Sequence, residues 1–89
     1  MEGFLKLSNL FQVTLTSATV ITFTNPSIGT YLIKFTQDGT GGRKVTFPTL
    51  NWKWAGGVLP NLTSTVNKTD IVTVIYDGTT FYGTIVKNF

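Results

Sequence analysis

GTYLIKFTQDGTGGRKVTFPTLNWKWAGGVLP, residues 29–60, holds two short extended runs, a glycine-rich connection and a pair of tryptophans. Within Tyr31–Thr36, Tyr31, Ile33 and Phe35 fall on one side and Leu32, Lys34 and Thr36 on the other, because successive strand side chains alternate faces. Val45 and Phe47 repeat that alternation in Lys44–Phe47. Between the runs, Gln37–Arg43 (QDGTGGR) supplies glycines for positive-φ positions, so the chain is expected to double back and join the two as a hairpin. Trp52 and Trp54 are two apart and share one face of any strand they occupy, with Lys53 on the other. Ala55-Gly56-Gly57 then ends that segment.

Working outward, the flanks read the same way. Towards the N-terminus, Val13 and Leu15 alternate with Thr14 and Thr16, and a second β-rich run covers Thr19–Thr24. Asn25-Pro26-Ser27 interrupts it, since proline cannot donate to a ladder. Towards the C-terminus, Val58–Asn67 reads as a surface connection with Pro60 near its start. Asp70–Tyr76 is the most β-branched run, with Ile71 and Ile75 on one face and Val72, Val74 and Tyr76 on the other. A strand apolar on both faces belongs in the middle of a sheet or against a subunit. Asp77-Gly78-Thr79 turns it into Phe81–Val86, a second hairpin. Phe4, Leu7 and Phe11 stand at helical spacing. Residues 1–9 are therefore read as an arm or short helix linking to an upstream shaft, and residues 10–89 as a β domain. The expected fold class is all-β: a small antiparallel β-sandwich, jelly-roll-like, of about seven short strands.

Composition narrows what such a domain does. The chain has 89 residues, 42% hydrophobic and only 12% charged, against roughly 25% charged in an average globular domain. A surface so poor in charge is expected to meet another protein. There is no cysteine, so neither disulfides nor thiolate–metal bonds can staple the scaffold, which leaves oligomerisation as the common remedy for small size. The net charge of +3 comes from scattered lysines and a single arginine, of which only Arg43 and Lys44 are adjacent. Without a basic stripe, nucleic acid is not an expected partner. No apolar run is long enough to cross a bilayer and no signal-peptide layout is present, so membrane insertion is not expected either.

Catalysis needs titratable groups, and the sequence offers Glu2, Asp38, Asp70 and Asp77 with no histidine. Ser-His-Asp and Cys-His arrangements and a His/Cys zinc site are excluded. Asp38-Gly39 and Asp77-Gly78 are turn dipeptides, and Asp70 is read as an exposed residue at the start of a strand. Gly39–Lys44 (GTGGRK) lacks the phosphate-loop spacing and precedes a β run instead of a helix, and the calcium-loop pattern is absent. No catalytic, cofactor-binding or metal residues are assigned, and no cofactor is expected. Trp52 and Trp54, with Arg43, are the candidates for contact with a ligand such as a sugar. The competing reading, that the indoles pack in the core or at a subunit contact, is preferred. Phe4, Leu7, Phe11, Val72, Val74 and Tyr76 are the candidates for a subunit interface, with a homotrimer as the expected assembly.

One resemblance runs through most of the chain. Gly29-Thr30-Tyr31-Leu32, Gln37–Arg43, Val45-Thr46-Phe47-Pro48, Trp52–Gly57 (WKWAGG), Pro60, Asp70-Ile71-Val72 and Tyr76-Asp77-Gly78-Thr79, in that order and spacing, resemble a β domain at the C-terminal ends of bacteriophage fibre and other virion proteins. The resemblance covers roughly residues 10–89. It implies a non-enzymatic virion component: a trimeric tail or head fibre or spike domain that caps the shaft, with other virion proteins or the shaft as partners; it does not fix which fibre or which host molecule, a host surface glycan being the candidate contact. It transfers no binding residue. The alternatives are a monomeric carbohydrate-binding module using Trp52 and Trp54, and a capsid decoration protein.

Overall fold

The structure, a computed structural model, describes residues 10–24 and 26–89. Seven strands run through them: β1 Leu10–Leu15, β2 Thr19–Val20, β3 Gly29–Gln37, β4 Val45–Thr46, β5 Trp52–Trp54, β6 Thr69–Tyr76 and β7 Phe81–Val86. The one helical element among the described residues is a 3-10 turn at Ala55–Gly57. The all-β expectation holds.

Five strands form one sheet in the order β1-β3-β6-β7-β5, and β2 pairs with β4 in a second, two-stranded sheet. The pairs β3–β6 and β6–β7 are antiparallel. The pairs β1–β3, β5–β7 and β2–β4 are parallel. The antiparallel jelly-roll sandwich is therefore corrected to a mixed sheet with a small second layer. The reason is connection length. Only β6 and β7 are joined by a tight turn, in which Asp77 N–H donates to Thr80 O at 3.2 Å and the Asp77 carboxylate accepts the N–H groups of Thr79 and Thr80. The other sheet neighbours are reached through longer stretches, which permit parallel pairing.

Alternation sorts the five-stranded sheet into two faces. The inner face carries Val13 and Leu15, Ile33 and Phe35, Val72 and Val74, Ile85, and the two tryptophans. Leu15, Phe35, Val72 and Val74 are fully or almost fully enclosed there, each contributing about 1.5–3 kcal/mol relative to exposure. The second layer covers this face with Ile21, Phe23, Val45 and the buried Phe47. Thr19 N–H donates to Lys44 O at 3.0 Å and Ile21 N–H to Thr46 O at 2.9 Å, which holds the layer together. The run expected over Thr19–Thr24 thus shortens to β2, with Ile21 and Phe23 continuing inward from an irregular backbone.

The first expected hairpin does not form. β3 and β4 lie in different sheets, and the alternation they share serves contact between layers: the Phe35 and Phe47 rings meet edge to face with centroids 5.9 Å apart. Gly41 and Gly42 supply positive φ in the connection, as expected, but they carry the chain from one layer to the other. A β-carbon on Gly41 would stand 2.6 Å from the Ser64 carbonyl oxygen, so only glycine fits at that crossing.

Asp70 is also corrected. It is buried in β6, where its carboxylate accepts Thr63 N–H at 2.6 Å and Asn88 N–H at 2.9 Å. Phe89 N–H donates to Thr69 O at 2.9 Å beside it. One carboxylate thereby ties the long connection and the end of the chain to the central strand.

Candidate functional site

β5 is an edge strand of three residues, and its parallel register sets Trp52 opposite Phe81 and Trp54 opposite Gly83. Both indoles face inward and Lys53 outward, as the spacing implies. Trp52 stacks on Phe81 with centroids 4.8 Å apart and planes 14° from parallel. Tyr76 continues the stack beyond Phe81 at 4.2 Å. Phe23 lies 5.5 Å from Trp52, and Phe47 meets Trp54 edge-on at 5.0 Å. The six-membered ring of Trp54 lies over Gly83 so closely that a β-carbon there would sit 2.5 Å from it. Stacked and tilted aromatic pairs of this kind add about 0.5–1.5 kcal/mol each beyond area burial. A sugar would have to displace Phe81 to stack on that face of Trp52. This geometry is that of packing.

Arg43 is held in the connection between β3 and β4 by side chains that replace a ladder. The buried Gln37 amide donates to the carbonyls of Arg43 and Thr63, both at 2.9 Å, and accepts Arg43 N–H at 3.0 Å. Next to it, the Asp38 carboxylate accepts the N–H groups of Thr40 and Gly41 at 3.0 Å and a 3.0 Å ion pair from the Arg43 guanidinium. Hydrogen bonds from Arg43 and then from Gly41 hold the Asp38 carboxyl down at about 2, below its ordinary 3.8. Arg43 therefore faces an internal counter-charge.

The structure does not gather Trp52, Trp54 and Arg43 into one site. Trp54 borders a shallow recess of about 200 Å³ with Val58, Pro60 and Ile85. Arg43 borders another of about 110 Å³ with Leu59, Pro60 and Leu62. The two adjoin at Pro60, and Trp52 lines neither. A larger apolar recess of about 460 Å³ opens elsewhere, between β1, β3 and the stretch after β2, lined by Phe11, Val13, Ile21, Phe23, Tyr31 and Ile33. Its rim is fixed by Ser27, whose N–H donates to the Tyr31 hydroxyl at 3.0 Å and whose carbonyl accepts from it at 2.6 Å. Of this set, Phe11 alone stands among the contact candidates expected from the sequence. The available signal was the alternation of Ile21 with Phe23.

Of the interface candidates, Phe4 and Leu7 lie outside the described residues. Phe11 is half exposed at the mouth of the large recess. Tyr76 stacks on Phe81 and donates its hydroxyl proton to Gly78 O at 3.0 Å. Val72 and Val74 are fully enclosed within the single chain, which corrects their assignment to a subunit contact. Alternation separates two faces of β6 but does not say which one the chain covers itself.

Chemically, the site is a scaffold. Asp38, Asp70 and Asp77 each accept backbone N–H groups. Backbone donation to Asp77, from Thr80 first and then Thr79, keeps its carboxyl below the ordinary value. Among the described residues there is no cluster of three or more side chains that could hold a metal ion, and no helix long and apolar enough to cross a membrane.

A family model described as "Putative phage tail fibre C-terminal domain" matches residues 3–81. No curated protein and no solved structure matches the chain.

Proposed function

Since the chain belongs to the phage tail fibre C-terminal domain family, we propose that it is a non-enzymatic structural domain of the virion, three copies of which close the end of a fibre, cap its shaft and meet the host surface. The match over residues 3–81 carries this reading. The aromatic cluster supports it against a monomeric sugar module, because Trp52 is stacked on Phe81 and Trp54 is packed on Gly83. The engagement of every described aspartate by backbone N–H groups supports a non-enzymatic role. Light scattering tests the assembly: the purified chain should show three times its 9.8 kDa mass. The same protein, added in excess, should compete with the phage for adsorption to its host. A monomer at high concentration would remove the trimer, and adsorption unchanged by saturating domain would remove the host contact.

A further inference from the structure

We propose that the outer face of the five-stranded sheet is the surface through which copies of this chain meet. The inference rests on the trimer reading above and names the surface that reading needs.

The cross-strand register lays this face out in rows. One runs Leu10, Leu32, Thr73, Thr84; the next on one side runs Gln12, Lys34, Ile71, Val86; the next on the other runs Thr30, Ile75, Tyr82, Lys53. Leu10, Leu32, Ile75, Tyr82 and Val86 are 37–58% exposed. Lys34 and Lys53 are the only charges in these rows, and they stand in different rows with the Leu32 row between them. All three described aspartates lie elsewhere: Asp38 and Asp77 in turns, Asp70 on the inner face. The inner face is covered by the second layer, whereas this one retains its apolar exposure.

Area decides what size of occupant fits. Five strands at about 4.8 Å spacing and six residues at about 3.3 Å rise make a face of about 500 Å². Three such faces turned towards one three-fold axis together remove about 1,500 Å² from water, within the range of a specific protein contact. A single added strand would cover only a strip. Two further copies bring sheets of matching size by construction, and their aliphatic and threonine side chains suit an interface whose centre is depleted of charge. The lysine stems are long enough to carry their ammonium groups to the rim.

The test is the mass in solution of wild type and of variants on this face. Leu32→Lys combined with Ile75→Lys should reduce the trimer to the chain mass while a cooperative urea transition persists, because both side chains are exposed in the single chain. Val20→Lys and Leu50→Lys, exposed residues off this face, should leave the trimer intact. A milder pair, Ile75→Thr with Val86→Thr, keeps strand-compatible side chains and should raise the dissociation constant at least tenfold. A trimeric wild type whose Leu32→Lys/Ile75→Lys and Ile75→Thr/Val86→Thr variants stay trimeric with unchanged affinity overturns the placement and leaves the trimer standing. A monomeric wild type overturns both.

Discussion

Asp70 makes more of the structure depend on one side chain than its position suggests. Its buried carboxylate accepts the backbone N–H groups of Thr63 and Asn88 in partly buried hydrogen bonds. Asp70→Ala should therefore lower stability by about 2–3 kcal/mol, read from urea unfolding, since a hydrogen bond to a charged group contributes about 1.5–3 kcal/mol and the exposed Asn88 can turn to water instead. Asp38 sets a different test, in acid. Its folded-state value of about 2 lies below the ordinary 3.8, so its contribution is fully present above the ordinary value and fades as pH falls towards the lower one. Wild type should exceed Asp38→Asn in melting temperature by a constant margin above about pH 5, and that margin should shrink as pH falls below that and be lost as it passes through about 2. The two turn aspartates were legible in the sequence because their acceptors' partners are two and three positions away. Asp70 was not, because its partners stand seven and eighteen positions off and no local pattern reports them.

Among the elements, the β6–β7 hairpin could be read directly, since Asp77-Gly78 both makes the turn and fixes the register. β3 and β4 could be recognised as extended, but their pairing could not. An apolar alternation is equally suited to an adjacent strand and to an opposing layer, and here Phe35 and Phe47 chose the layer. The parallel edge strands β1 and β5 left no signal at all beyond their own alternation, because their partners are set by the assembly of the whole sheet. The connection between layers hangs on Gln37, whose amide makes three bonds to the backbone of Arg43 and Thr63. Gln37→Ala should speed hydrogen exchange at Arg43 N–H by at least tenfold and leave the β6–β7 amides protected. Gly83→Ala acts on β5 instead. Its methyl meets the Trp54 ring, and a loss of about 1–3 kcal/mol is expected from such overpacking, measurable as a lower urea midpoint.

For the whole molecule, three of the five strand pairings are parallel and so join segments distant in sequence. Non-local topologies of this kind fold in milliseconds to seconds, and stopped-flow refolding should fall in that range; a refolding phase complete within microseconds would contradict the topology. The inner and outer faces of the sheet were both visible as alternating sets, yet only the position of the second layer told which was the core. That layer also brings the two indoles of β5 into a fixed relation, 5.6 Å between centroids with planes tilted by 34°. Transition dipoles so close and so skewed couple, and their aromatic absorption divides into two components of opposite rotatory sign. The molecule thus carries an optical signature of its own edge strand, one that fades when β5 leaves β7 even if the remaining sheet persists, as near-ultraviolet dichroism does when specific packing is lost before secondary structure.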